Sequence, residues 1–202
     1  MESRQSWPAP ARKNPNGMAR RIGLSLITEL NMTTTDQDFV IERTFNAPCE
    51  IVWKAWTDPN QMARWWGPRA ITTPICALDV RPGGSYRIVM RGPDGMYYPI
   101  KGVYREVKTH ELIVMTMDCT EHPDAWHDMV NPDRKGDPNP AGEMLMTVTF
   151  EDFAGKTKLT IRTRFKSAMI RDSMVKMGMN EGWSQSLDRL AERLLQNIKI
   201  TE

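Results

Sequence analysis

Hydrophobic and polar residues alternate along several segments of this chain, which is typical of strands that bury one face. The clearest case is segment 158–165, where the residues with odd numbers are mostly apolar and those with even numbers are charged or hydroxylated. Similar strand patterns are found at 39–45, 75–80, 85–91, 97–107, 112–117 and 144–150. An antiparallel sheet covered on one side needs this arrangement, so the pattern predicts such a sheet.

Two short helices are predicted after the first strand. Apolar residues recur at helical spacing in segment 51–56, which follows Pro48, a residue suited to the first turn of a helix. Asp58 and Pro59 end that helix. Asp58 can also cap a second helix, which runs through Trp66. Gly67 and Pro68 then end the second helix.

A long amphipathic helix is predicted at the end of the chain. It begins at Asn180, a competent N-cap, after Gly178 breaks a preceding methionine-rich helix. Its apolar stripe is formed by Trp183, Leu187, Leu190, Leu194 and Ile198. Strands in series, followed by a helix that covers them, indicate an α+β fold of a helix on a curved sheet.

Composition and charge narrow the possible functions. The chain has 202 residues, 40% hydrophobic and 26% charged, and this is ordinary for one globular domain. Residues 1–35, with five basic and two acidic side chains, are predicted to form a polar, flexible extension, and residues 36–202 are predicted to form the domain. A targeting peptide is the alternative for the extension, although its prolines oppose the helix this would require. The nearly neutral domain argues against nucleic-acid binding.

Location is predicted from the cysteines and from the absence of long apolar runs. Cys49, Cys76 and Cys119 are widely spaced and odd in number, which fits a reducing compartment and no paired-cysteine metal motif. No apolar run approaches the roughly 20 residues that a membrane-spanning helix needs. We therefore expect a soluble, cytoplasmic protein without membrane insertion.

Five short motifs give the chain its resemblance to a known family. They are the AWTDP box at 55–59, WWGP at 65–68, DVRPGG at 79–84, GPDG at 92–95, and EGW at 181–183 with Leu187 and Leu190. In their order and spacing, from about Phe39 to Ile198, the chain resembles the activator of heat-shock protein 90 ATPase homologue-like family of the START-like (SRPBCC, helix-grip) superfamily. The resemblance implies about seven antiparallel strands wrapped around the C-terminal helix, with a cavity between them.

Three hypotheses for function follow from the resemblance. The first is reversible binding of an apolar or amphipathic small molecule in that cavity, without a cofactor. The second is an enzyme of the cyclase or hydrolase type that uses the same cavity, and the third is a module that contacts a heat-shock protein 90-type chaperone. A homodimer is compatible with each of the three.

Aromatic and methionine residues supply the predicted cavity wall. Methionine adapts to apolar guests of varied shape, and a few tyrosine hydroxyls can orient a guest, although packing of a solid core explains the same residues. The predicted lining residues are Trp66, Tyr86, Tyr98, Tyr104, Met115, Met117, Trp126, Met146, Met177, Trp183 and Leu187.

The polar segment 118–142 is the remaining candidate for chemistry. Loops of this length are often binding segments, and we expect this one to press Trp126 over the cavity as a lid. His122 and His127 within it are the candidate proton-transfer residues. Their spacing does not match the HExxH pattern, so no metal site is predicted.

Overall fold

The computed structural model describes residues 35–200, with side chains through residue 196. Seven strands are present in this range: β1 (Asp38–Phe45), β2 (Thr72–Leu78), β3 (Ser85–Arg91), β4 (Tyr97–Lys108), β5 (Leu112–Met117), β6 (Met144–Phe153) and β7 (Lys156–Arg164). The helices are α1 (Cys49–Thr57), α2 (Pro59–Met62), α3 (Asp124–Val130), α4 (Ala168–Lys176) and α5 (Met179–Ile200). The predicted extension, except for Thr35, lies outside the described residues.

The seven strands form one antiparallel sheet in the order β1-β7-β6-β5-β4-β3-β2. The sheet curls into a half-barrel, so its concave face can hold a helix. Irregular register between Thr72 and Ile75, and between Tyr104 and Glu106, marks two places where a strand bends. The predicted α+β helix-grip architecture is confirmed.

The inner face of the sheet follows the alternation seen in the sequence. On β7 and just beyond it, Leu159, Ile161, Thr163 and Phe165 are all buried, whereas Arg164 is exposed. Leu187, Leu190 and Leu194 of α5 are equally buried and belong to the same hydrophobic core. Burial of each such side chain contributes about 1.5–3 kcal/mol, so the contact between sheet and helix stabilises the fold.

The two short helices form much as predicted, with one difference at the end of α2. The Asp58 carboxylate accepts hydrogen bonds from the backbone N–H groups of Asn60 and Gln61, and this caps the helix as expected. The helix itself ends at Met62, not at Trp66. Trp65 and Trp66 lie in the turns that follow, and the Trp66 N–H still donates to the Met62 carbonyl at 2.9 Å.

A single glycine separates α4 from α5. Gly178 has a φ of +94°, a conformation that ends α4 at low steric cost. Its carbonyl then accepts the first hydrogen bond of α5, from the Gly182 N–H at 2.9 Å. Asn180 therefore lies inside the first turn of α5 and is not the N-cap, since Gly178 already occupies the capping place.

Segment 118–142 is not wholly irregular. It contains α3, which begins after Pro123 and carries Trp126 and His127. The guanidinium of Arg134 donates to the carboxylates of Asp128 at 2.6 Å and Asp124 at 2.9 Å, and so ties the following turn back onto the helix. The segment consequently presents Trp126 from an ordered element.

Candidate functional site

A cavity of about 190 Å³ lies between the sheet and the first turns of α5. Its floor is formed by sheet residues, namely Met90, Ile100, Met117, Met144 and Thr163. Its remaining walls are Trp66, Gly67, Pro68, Cys119, His122, Trp126, Met174, Met179, Gly182, Trp183 and Ser186. No Asp, Glu, Lys or Arg is among these residues, so the interior is apolar apart from a few neutral polar groups.

An aromatic cluster builds the wall formed by the turn after α2 and by α5. Trp66 meets Trp183 edge to face, with ring centroids 5.3 Å apart. Trp56 lies behind both, with its ring nearly parallel to that of Trp183 at 6.3 Å. Trp65 donates from its indole Nε1 to the Ala55 carbonyl at 2.9 Å and so fixes this turn on α1. Such ring pairs give the wall a defined shape.

Arg189 of α5 holds the same turn in place. Its guanidinium donates to four backbone carbonyls, those of Arg64, Gly67, Pro68 and Ile71, at distances of 2.7–3.3 Å. These acceptors surround the short segment that supplies Trp66, Gly67 and Pro68 to the cavity. Arg189 therefore positions one wall of the cavity without lining it.

His122 is the most unusual polar group at the cavity. The residue is 9% exposed, and neither ring nitrogen has a hydrogen-bond partner of normal geometry among the described residues. Its ring packs edge to face on Trp126, with centroids 4.4 Å apart, and on Tyr98 at 5.5 Å. A buried imidazole enclosed by aromatic rings is expected to resist protonation.

Burial lowers the pKa of His122 to about 4, and the neighbouring His127 adds to this shift. Asp118 and the Pro99 carbonyl act in the opposite direction but do not offset the desolvation. The imidazole is therefore neutral at pH 7. A neutral imidazole carries one N–H donor and one acceptor nitrogen, and the packing around His122 leaves neither nitrogen exposed.

Thr163 gives the cavity a second buried polar group. It is 0% exposed on the concave face of β7, and its hydroxyl has no partner within the part of the chain that the structure describes. Two further polar side chains at the cavity, Ser186 and Cys119, are less able to interact with a guest. The Ser186 hydroxyl already donates to the Gly182 carbonyl at 2.7 Å. Burial raises the pKa of the Cys119 thiol to about 12, which keeps it protonated.

The predicted lining residues fall into two groups. Trp66, Met117, Trp126 and Trp183 line the cavity. The remaining predicted residues do not line the cavity. Five of them belong to the buried core around it, namely Tyr86, Tyr104, Met115, Met146 and Leu187. Tyr98 contacts His122 from the side, and Met177 is partly buried at the end of α4. Of the two candidate proton-transfer residues, His122 lines the cavity, whereas His127 is buried beside Trp126.

The two buried tyrosines are held in the core by a close approach of strands. The Tyr86 hydroxyl donates to the Thr116 carbonyl at 2.7 Å, and its ring lies 5.6 Å from that of Tyr104. Gly102 stands opposite Tyr86, where a Cβ atom would lie 2.0 Å from the Thr116 oxygen. Because Gly102 has no side chain, the Tyr86 ring can lie over this part of the sheet. Its hydroxyl is already engaged by the Thr116 carbonyl.

Sequence reasoning missed Arg189 and Thr163. Arg189 is one of several charged residues on an amphipathic helix, and its acceptors lie more than 100 residues away in the chain. Thr163 stands in the alternating pattern of β7 as one more buried residue. The family motifs WWGP and EGW did mark two walls of the cavity.

The described part of the chain was searched for metal-binding clusters and for membrane-spanning helices. No group of three or more His, Cys, Asp or Glu side chains there is placed to hold a metal ion. No helix among the described residues is long and apolar enough to span a membrane.

Comparison with known proteins gives a family and a set of similar folds. The family model described as Activator of Hsp90 ATPase homolog 1-like protein matches residues 46–194. A search of curated proteins finds no match. A crystal structure of a protein from Nitrosomonas europaea is 24% identical and has a TM-score of 0.67, covering 83% of this chain and 99% of that one.

Two further solved structures show the same fold. A protein from Rhodobacter sphaeroides is 18% identical, with a TM-score of 0.67, and the match covers 81% of this chain and 95% of the other. The AHSA1 protein from Silicibacter pomeroyi is 23% identical, with a TM-score of 0.60 and coverage of 79% and 99%. At these identities the likeness extends to the fold alone.

Proposed function

The chain belongs to the Activator of Hsp90 ATPase homolog 1-like family, and from that premise we propose that it binds an apolar or amphipathic small molecule between its sheet and α5. Binding is reversible sequestration. Apolar burial gives the affinity, and the buried polar groups orient the guest.

The observation that carries this proposal is the apolar cavity between the sheet and α5. An empty apolar cavity lowers the stability of a protein, and so does a buried polar atom without a partner. His122 and Thr163 are both in that condition. A guest that fills the apolar space removes the first of these penalties, which supports a binding role over a packing defect.

The volume limits the size of the group that the cavity can hold. A cavity of about 150 Å³ lined by apolar side chains is enough to bind benzene, and this one measures about 190 Å³. One aromatic or alicyclic ring with a small substituent fits, and a bicyclic molecule such as indole is near the upper limit. Five methionines line the space and can change rotamer around guests of different outline.

Gly182 offers a way to fill the cavity by mutation. It lies in α5 and lines the cavity, and a Cβ atom added there would meet only Pro68 Cγ, at 3.8 Å. Gly182→Leu is expected to occupy part of the volume and to raise the melting temperature of the free protein. Gly182→Ala is the matched control, since it makes the same backbone change but leaves most of the space open.

The test is thermal unfolding with toluene and with indole. Wild type and Gly182→Ala are expected to melt at higher temperature in the presence of at least one of these probes, because a ligand that binds only the folded state stabilises it. Gly182→Leu is expected to lose that shift. If neither probe shifts wild type, or if the shift survives in Gly182→Leu, the proposed site is wrong.

The enzyme hypothesis depends on one geometric feature, the contact of His122 with the cavity. With a pKa of about 4, its imidazole is a hydrogen-bonding group and not a proton donor at pH 7. Binding without chemistry is therefore the better supported proposal. The homodimer, the chaperone contact and the cytoplasmic location stay predictions.

A further inference from the structure

The methionines that line the cavity lie at two different depths. Met117 and Met144 belong to the sheet and are buried, at 8% and 2% exposed. Met174 of α4 and Met179 at the start of α5 also line the cavity, but both are partly exposed. Met174 and Met179 therefore lie where the cavity meets the solvent, and we call these two residues the mouth methionines.

The turn between the mouth methionines is open to solvent. Gly178 separates them, and an added Cβ atom there would meet nothing within 4 Å. The remaining lining methionine, Met90 of β3, is also partly exposed but is packed differently. Its sulfur lies close to the buried Gly67, where an added Cβ atom would be 3.3 Å from it. Solvent access is consequently better at the mouth methionines than at Met90.

A thioether that solvent can reach is open to oxidation by peroxides. The methionine sulfur gives up two electrons and takes one oxygen atom from hydrogen peroxide, whose O–O bond breaks to leave water. The product is methionine sulfoxide, and methionine sulfoxide reductases convert it back to the thioether. A flexible apolar side chain thus becomes a polar one, in a step that can be reversed.

The cavity offers little to a sulfoxide oxygen, which is a hydrogen-bond acceptor. No Lys or Arg is among the lining residues. The Ser186 hydroxyl already donates to the Gly182 carbonyl, and the ring nitrogens of His122 are enclosed by packing. A sulfoxide at the mouth must either lose hydrogen bonds inside the cavity or turn towards water and leave the wall. Both outcomes weaken the binding of an apolar guest.

On the premise that the cavity binds an apolar small molecule, we propose that Met174 and Met179 are modification sites for peroxides and that their oxidation to sulfoxides releases the guest. The guest in turn covers the mouth methionines and protects them from the oxidant. The inference adds redox regulation to the proposed function and rests on it.

The first test follows oxidation of wild type by hydrogen peroxide with peptide mass spectrometry, with and without indole, or toluene if only that probe binds. Met129 and Met169 are both 56% exposed, do not line the cavity, and serve as references. At ten times its dissociation constant, the probe is expected to slow oxidation of the mouth methionines by about tenfold, since only free protein reacts there. The references are expected to react at the same rate with and without the probe, and Met117 and Met144 more slowly than the mouth methionines.

The second test compares three proteins by titration with the probe before and after peroxide treatment. Met174→Leu/Met179→Leu removes both sulfurs at nearly constant volume, and Met129→Leu/Met169→Leu is the matched control. Treatment is expected to raise the dissociation constant by about tenfold in wild type and in the control, and to leave it unchanged in the mouth variant. Methionine sulfoxide reductases are expected to restore binding. The cysteines are the same in all three proteins, so their oxidation cannot produce the difference.

The results that would overturn the inference differ from those that would refute the proposed function. If the probe binds but peroxide weakens its binding equally in the mouth variant and wild type, or not at all in wild type, only this inference is wrong. Equal protection of the mouth methionines and the references would also refute it. Oxidation of Met117 and Met144 as fast as the mouth methionines would contradict the two depths on which it depends. If untreated wild type binds neither indole nor toluene, the proposed function fails, and this inference fails with it.

Discussion

The buried imidazole of His122 is expected to make the stability of the protein depend on pH. Its pKa is about 4 in the folded protein, whereas an exposed histidine in the unfolded chain has a pKa of about 6.5. Above pH 6.5 both states are unprotonated at this residue, and it contributes no pH dependence. Between pH 6.5 and pH 4 the unfolded chain binds the proton more readily, so the free energy of unfolding falls as the pH falls.

The size of the effect follows from the pKa difference. A difference of roughly 2.5 units corresponds to about 3 kcal/mol, which is reached when the pH falls through the folded pKa. His127 strengthens the shift and Asp118 weakens it, so both groups are part of the value. A loss of about 3 kcal/mol is a large share of the 5–15 kcal/mol that is typical for a domain.

Urea unfolding of wild type and His122→Gln from pH 8 to pH 4.5 measures this contribution. Glutamine keeps a donor and an acceptor but does not titrate. The difference in unfolding free energy between the two proteins is expected to be constant above pH 7 and to shift against wild type by about 2 kcal/mol at pH 4.5. Glu121, whose pKa is lowered to about 2 by Arg87 and Lys101, affects both proteins alike and cancels.

Parallel pH profiles for the two proteins would refute the reasoning, because they would mean that the His122 imidazole is accessible to water or has a partner that stabilises its charged form. A change in the urea dependence itself between pH values would indicate loss of two-state unfolding, and calorimetry then replaces the urea measurement.

Three other residues give independent predictions. Arg189→Met removes the hydrogen bonds to the turn after α2 and is expected to lower the unfolding free energy by about 2 kcal/mol, whereas Arg193→Met, whose guanidinium donates to Gln196 of the same helix, should change it by less than about 0.5 kcal/mol; equal effects would contradict the role of Arg189 in holding this turn. Gly102→Ala forces a Cβ atom to within 2.0 Å of the Thr116 oxygen and is expected to cost about 2–4 kcal/mol in urea unfolding; a neutral result would mean that the strands are farther apart. Cys119, with its pKa near 12, should react with a disulfide reagent at pH 8 about 1,000-fold more slowly in the folded than in the unfolded protein, and rapid modification would show an open cavity.

Local sequence patterns were sufficient for most of the architecture. The alternation in segment 158–165 predicts β7 because one face of a half-buried strand must be apolar. The Asp58-Pro59 pair predicts the start of α2 since the capping carboxylate acts over only three residues. Both signals are short-range, and short-range signals can be read without knowing what packs against them.

The candidate site was only partly predictable for the same reason. Trp66 and Trp183 fall in family motifs, so their role as walls could be expected. The Thr163 hydroxyl has no hydrogen-bond partner among the described residues because no polar group of the elements packed against β7 reaches it. Arg189 holds the turn after α2 because the fold brings four backbone carbonyls within reach of its guanidinium. Such facts arise from tertiary packing and leave no local pattern.

The most direct test of the whole account is a crystal structure of the protein grown with indole. We expect density for one bound indole between Trp183 and Met117. A well-ordered structure in which methionine side chains fill the cavity, with no density for the probe inside it, would contradict the account.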